Sequence, residues 1–195
     1  MHPPPQRPDR GAGRLLPRGV VPVDPGPGQE SVWDYPRPPL VEPTGEHVVV
    51  VLGGAVVLDT RRALRMLETS HPPTYYLPLA DAAPGAFRPT AGTSWCEFKG
   101  TAAYLDVVGG PGGERRDGGT AVGDQVVAGA AAWTYPSPSP GYAVLRGHVA
   151  LYPDRMDRCT VDGEVVRGQD GGFYGGWVTS RVVGPFKGGP GSRGW

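Results

Sequence analysis

From residue 47 onward the chain alternates between short β-branched runs and turn residues. His47-Val-Val-Val-Val-Leu52 and Ala55-Val-Val-Leu58 are separated by Gly53-Gly54. That two-residue spacing predicts a hairpin, because glycine reaches the positive φ a tight turn demands. Asp59 and Thr60 can cap a short helix with Ala63, Leu64, Met66 and Leu67 within reach of one face and Glu68 at its end. Pro72-Pro73 forbids its continuation. Strands are predicted at Thr74-Tyr-Tyr-Leu77, Thr101-Ala-Ala-Tyr-Leu-Asp-Val-Val108, residues 124–132, Ala132-Trp-Thr-Tyr135 and His148-Val-Ala-Leu-Tyr152. Residues 79–83 allow at most one helical turn before Pro84, and residues 109–119 read as a glycine-rich charged loop. Cys159-Thr-Val161 and Glu164-Val-Val166 flank Asp162-Gly163, a second hairpin signal. The pattern predicts an all-β domain over residues 46–167 with one short helix.

The flanks behave differently. Residues 1–45 hold Pro3-Pro4-Pro5, Pro25-Gly26-Pro27-Gly28 and Tyr35-Pro36-Arg37-Pro38-Pro39. Proline fixes φ and removes donors, so this arm is expected to form no ladders. It is either a ligand for a proline-recognising groove or an extended strap on the domain, and Trp33 and Tyr35 favour the strap. Residues 168–195 are glycine-rich and studded with aromatics, with Arg181, Lys187 and Arg193 but no acid beyond Asp170. They read as an irregular arm whose aromatics dock on the domain, or as a basic lip for an anionic ligand.

Composition narrows the classes. Gly 32 and Pro 24 exceed a quarter of 195 residues, yet five Trp, eight Tyr and 38% hydrophobic residues supply a moderate core. Nineteen basic and nineteen acidic side chains cancel, which removes the global field a nucleic-acid or membrane-surface binder uses. No run approaches the roughly 18 apolar residues that span a bilayer. Met1-His-Pro-Pro-Pro lacks an apolar signal region, so a cytoplasmic location is expected. There the two cysteines, Cys96 and Cys159, are expected as free thiols. The oligomeric state stays open, a homodimer included.

The densest chemistry is Trp95-Cys-Glu-Phe-Lys-Gly100. Cys96 is a nucleophile if Lys99 meets it, and a small buried hydrophobe otherwise. In a continuous strand the two side chains leave on opposite faces, so their meeting requires a turn at Glu97-Phe98. The Lys99 amine is costly to bury alone, so it is expected to pair with Glu68 or Glu97, or to meet an anionic ligand. Left unpaired, it could serve as a base or form a Schiff base. Tyr75, Tyr76, Tyr104, Trp133, Tyr135 and Tyr152 alternate with small residues. They serve as core or wall a cleft suited to a planar or cationic molecule. Zinc needs four ligands at short paired spacings. Two distant cysteines and the scattered His2, His47, His71 and His148 do not supply them, so no metal or other cofactor is expected.

Five ordered blocks carry a resemblance. They are Gly-Gly-Ala-Val-Val-Leu-Asp-Thr60 with a following Glu, Tyr75-Tyr76-Leu-Pro78, Cys96-Glu-Phe-Lys-Gly100 with Ala102 and Tyr104, Ala132-Trp-Thr-Tyr-Pro136, and Val149-Ala-Leu-Tyr152. Over residues 47–167 they resemble the DUF427 family of uncharacterised proteins. The tail from Gly171-Gly-Phe-Tyr-Gly-Gly-Trp177 is similar to an extension carried by longer members. The resemblance implies a small two-sheet fold of the Mss4-like or β-tent kind, splayed around a cleft. A nucleotidyltransferase label associated with the family does not suit these residues. There is no Asp-x-Asp pair for Mg²⁺, and Gly109-Gly-Pro-Gly-Gly113 lacks the ending of a phosphate loop. The expectation is a cleft lined by Glu68, Tyr75, Cys96, Lys99, Trp133 and Tyr135 that binds a small planar or polar organic ligand. The alternatives are an enzyme using Lys99 or Cys96 with Glu68 as acid or base, and a protein-interaction module using its arms.

Overall fold

Turn chemistry and strand pairing together generate the architecture of the computed structural model, which describes residues 16–110, 125–192 and 195. In chain order the first strands are β1 (Glu30–Ser31), β2 (Leu40–Pro43), β3 (Val48–Leu52), β4 (Ala55–Thr60), β5 (Leu64–Leu67), β6 (Thr74–Pro78), β7 (Phe87–Cys96) and β8 (Gly100–Gly109). They are followed by β9 (Val126–Thr134), β10 (His148–Leu151), β11 (Arg158–Val161), β12 (Glu164–Val165), β13 (Arg167–Gly168), β14 (Trp177–Val178) and β15 (Val182–Val183). A seven-stranded sheet has the order β2-β5-β6-β10-β9-β8-β7, and a four-stranded sheet the order β12-β11-β3-β4. Two-stranded pairs, β1-β15 and β13-β14, stand beside them.

Both hairpins read from the sequence close as expected. Gly53 and Gly54 take φ 60° and 70°, and Asp162 and Gly163 take 48° and 85°. Two positive φ angles give the turn whose twist matches that of the flanking strands. The segment expected as a helix is instead β5, paired with β2 on one side and β6 on the other. A helix this short does not hold itself together in water, and two waiting strand partners satisfy the same backbone groups. The helical pieces of the described residues are 3-10 turns, including Leu79–Asp81 and the six-residue Pro140–Leu145.

Three further readings change. The proline-rich arm does form a ladder: β2 pairs antiparallel with β5 from Leu40↔Leu67 to Pro43↔Leu64. Leu40, Val41 and Glu42 keep their amides, and Pro43 sits at the end of an edge strand, where a lost donor is tolerated. Residues 126–134 form one strand, β9, rather than two, and β7 has no counterpart in the sequence reading. The expected loop from residue 111 onward, and residue 124, lie outside the described residues.

The main core fills the space between the sheets, where Val48 and Val50 of β3 meet Tyr75 and Leu77 of β6, Val107 of β8 and Val149 and Leu151 of β10. Both arms enter the fold. Trp177 is fully buried in that core, its ring 5.1 Å from Tyr75 and its Nε1 donating to the Leu151 carbonyl at 3.3 Å. Trp33 and Tyr35 pack with Val32, Leu67 and Val182 in a separate cluster. Arg65 of β5 ties this arm by ion pairs to Glu30, at 2.6 Å, and to Glu42. Burial alone would lower the guanidinium pKa, but hydrogen bonds and charge from Glu30 and Glu42 win and raise it.

No helix among the described residues is long and apolar enough to cross a membrane. Trp177→Ala is expected to cost about 3–5 kcal/mol, the cost of deleting a buried aromatic. Equilibrium denaturation measures it, and a loss below about 1 kcal/mol would show the arm to be dispensable.

Candidate functional site

Side chains of β6 alternate between faces, so Tyr75 and Leu77 point into the core while Tyr76 points the other way. The aromatic wall therefore rises on the face of the seven-stranded sheet turned away from the smaller sheet. The family resemblance implied a cleft between two sheets; alternation places it on this outer face. Tyr104 of β8 lies directly across from Trp133 of β9. Trp133 packs against Tyr152 at 4.8 Å between centroids, and Tyr76 against Tyr135 at 6.4 Å. These rings enclose a cleft of ≈ 310 Å³ that also receives Cys96, Lys99 and Glu68.

Of the six residues expected there, Glu68, Cys96, Lys99, Trp133 and Tyr135 share this cleft, and Tyr75 does not. Tyr75 packs on Trp177, and its hydroxyl donates to Glu46 at 2.8 Å. A Tyr-Tyr pair inside a strand puts one ring on each face, and Tyr76 is the one that faces the cleft. The turn required for Cys96 and Lys99 to meet one space exists: β7 and β8 form a hairpin closed by Cys96↔Gly100, with residues 97–99 as its loop. The loop is pinned where the Lys99 carbonyl accepts from the Ser139 amide at 3.0 Å. Both cysteines are free, and burial pushes the Cys159 thiol pKa up.

The expected pairing of Lys99 with Glu68 or Glu97 does not form. Arg37, from the N-terminal arm, takes both: one guanidinium nitrogen contacts Glu68 and the other Glu97 at 2.8 Å, with Phe98 stacked 5.1 Å below. A planar fork suits two carboxylates better than a point charge does. Lys99 is left without a carboxylate among the described residues. Its Nζ stands 5.7 Å from the Tyr135 centroid and 6.0 Å from that of Tyr76, cation–π contacts worth about 0.5–2 kcal/mol each.

The C-terminal arm closes the far side with residues that sequence reasoning did not assign to the site. Gly175 passes so near the Trp133 ring that a Cβ there would lie 2.1 Å from it. Tyr174 packs edge-on against His71 at 5.0 Å, and the Lys187 amine sits 5.9 Å from the Tyr174 centroid while donating to the Trp195 carbonyl. The Gly171-Gly-Phe-Tyr-Gly-Gly-Trp177 motif was the available signal: paired glycines allow close backbone approach to a ring. Of the basic residues in this arm, Lys187 reaches the cleft, Arg181 is held elsewhere by Glu46 and Asp162, and Arg193 lies outside the described residues.

Two buried polar atoms in cleft-lining residues have no hydrogen-bond partner among the described residues, the Tyr76 hydroxyl and Oε1 of Gln169. An orphan of this kind costs about 1–3 kcal/mol. Among the described residues no group of three or more His, Cys, Asp and Glu side chains is arranged to hold a metal ion.

This geometry defines an all-β protein whose larger sheet carries an aromatic-walled, lysine-bearing cleft. Residues 40–162 match the domain of unknown function DUF427, and the chain belongs to that family. No curated protein matches the chain.

His71 gives the cleft a pH signature. Its Nδ1–H donates to the Thr69 carbonyl at 2.9 Å, and burial lowers its pKa from 6.5, outweighing the opposing charge of Glu68. The unfolded chain therefore takes up a proton first as pH falls. Stability is expected to be level above about pH 7 and to decline as pH drops through 6.5 toward the lower folded value. His71→Gln should flatten that decline between about pH 7 and 5, read by denaturant titration at each pH. An unchanged slope in the variant refutes the assignment.

Proposed function

We propose that the protein binds a small planar or polar organic molecule in this cleft, with Lys99, Trp133 and Tyr135 in contact with it and Cys96 and Glu68 at its border. The observation that carries this reading is Lys99, a cation presented to a half-open aromatic cleft and, among the described residues, without a carboxylate of its own. A volume of ≈ 310 Å³ sits at the small end of ligand pockets, which run from about 300 to 1,000 Å³, and suits one or two rings. The balance of nineteen basic and nineteen acidic side chains supports a small molecule over nucleic acid or a membrane surface. The β-tent or Mss4-like relation and a cytoplasmic location belong to the same proposal.

Native mass spectrometry of gently purified protein is expected to show a stoichiometric small-molecule adduct, weakened at least about tenfold by Lys99→Ala with the melting temperature kept within about 3 °C. An empty wild type together with no thermal shift across a broad metabolite screen sinks the reading.

The hairpin loop that brings Cys96 and Lys99 to one cleft supports a second reading, covalent catalysis by either residue with Glu68 as acid or base. It requires that iodoacetamide modify Cys96, or that borohydride trap an aldehyde probe on Lys99, at least about tenfold faster than surface groups of the folded protein. Uniform labelling excludes it.

A further inference from the structure

We infer that the cleft's ligand is a planar anion, a ring bearing a carboxylate or phosphate beside Lys99 and Tyr76, with an N–H or O–H on its opposite edge that donates to Gln169. This rests on the reading of the cleft as a small-molecule site and specifies the ligand's chemistry.

The anionic end follows from charge and protonation. Arg37 is committed to Glu68 and Glu97, one positive charge against two negative, and Lys99 and Lys187 then bring the side chains lining the cleft to three positive charges against two negative, with Lys99 paired to neither carboxylate. Lys99 Nζ stands 6.0 Å from the Tyr76 ring centroid, and the hydroxyl of that ring is fully buried and without a hydrogen-bond partner among the described residues. Trp133 and Tyr135 neighbour that hydroxyl but do not reach hydrogen-bonding geometry with it. Burial pushes the phenol pKa up, so it stays protonated and keeps a proton to donate. An ammonium and a buried hydroxyl at one end of an aromatic slot are complementary to an oxyanion, since hydrogen bonds to a charged acceptor are the stronger kind.

The donor end follows from the Gln169 amide, which is 4% exposed. Its Nε2 donates to the Lys187 carbonyl at 2.7 Å, so a flipped amide would set oxygen against oxygen, and the orientation is fixed. Oε1 is then an acceptor with no donor among the described residues. It sits where a Cβ on Gly176 would be 2.3 Å from it and 2.8 Å from the Pro72 carbonyl, next to the approach to β6. Tyr76 and Gln169 both line the cleft of ≈ 310 Å³, a volume that has room for a mono- or bicyclic ring. Trp133 and Tyr104 supply the faces on which such a ring stacks.

Calorimetric titration with five indole probes tests both ends on the wild-type chain. Indole-3-carboxylate is expected to bind at least about tenfold tighter than indole-3-carboxamide, and at least about tenfold tighter than 1-methylindole-3-carboxylate, which lacks the N–H. Indoxyl phosphate against the carboxylate tells which oxyanion fits. Lys99→Met should erase the first preference and Gln169→Leu the second, each leaving the other intact; the wild-type comparisons stand even if a variant does not fold. Equal binding of acid and amide, equal binding of the N-methyl probe, or tighter binding of the cation tryptamine overturns this inference while leaving a planar-ligand site. If no probe of any charge binds at up to about 10 mM, the proposed function falls with it.

Discussion

Successive side chains of a strand leave on opposite faces, and in β6 this sends Tyr75 and Leu77 into the core shared with the four-stranded sheet while Tyr76 emerges on the other side. The same parity runs across the sheet: Val149 and Leu151 of β10 face the core, and Ala150 between them faces outward. Strands β6, β8 and β9, which build the core, thus also build the floor of the cleft with Tyr76, Tyr104 and Trp133. That floor carries rings rather than polar side chains, so it is too apolar to stand in water uncovered. Its coverage by the two arms follows from the pattern that folds the domain.

The arms cover the floor unequally, and the difference sets the electrostatics. From the N-terminal side, Arg37 spans the end of β5 and the β7–β8 loop, engaging Glu68 and Glu97 together. At 45% side-chain exposure this clamp contributes little net stability. Its effect is to withdraw two carboxylates from Lys99, whose positive charge then falls on the cleft. From the C-terminal side, Trp177 anchors the arm in the core, and the glycines before it let backbone lie against Trp133 where any side chain would collide. One arm adjusts charge; the other adjusts shape.

Much of this was legible in the chain and some was not, for identifiable reasons. The Gly53-Gly54 and Asp162-Gly163 hairpins were readable because turn chemistry is local. The strand over residues 64–67 was not, because Ala63, Leu64, Met66 and Leu67 suit a helix face equally well. Thr60 even makes a local cap, accepting from the Arg62 amide at 3.0 Å. Pairing with β2 and β6 decides the matter, and both partners are distant information. Five of six expected cleft residues converge: Cys96 and Lys99 flank the β7–β8 turn, Trp133 and Tyr135 lie at the end of β9, and Glu68, which follows β5, joins them from outside both motifs. Tyr75 was misplaced because two adjacent tyrosines carry no mark of parity until a partner sheet fixes which face is inside. Arg37 was invisible as the partner of Glu68 because a proline-rich stretch gives no hint of where it runs.

The family match ends at residue 162, yet Gln169, Tyr174, Gly175 and Lys187 of the cleft lie beyond it and Arg37 lies before it. Membership in DUF427 therefore accounts for the floor, with Lys99, Trp133 and Tyr135, and not for the far wall. Under the proposed reading of the cleft as a planar-ligand site, a stacking floor by itself would distinguish little among planar molecules. Discrimination comes from polar groups that are left unpaired by the wrong ligand. Tyr76 within the match and Gln169 outside it are two such groups, so under the proposed reading the choice among ligands would be completed by this chain's own C-terminal arm.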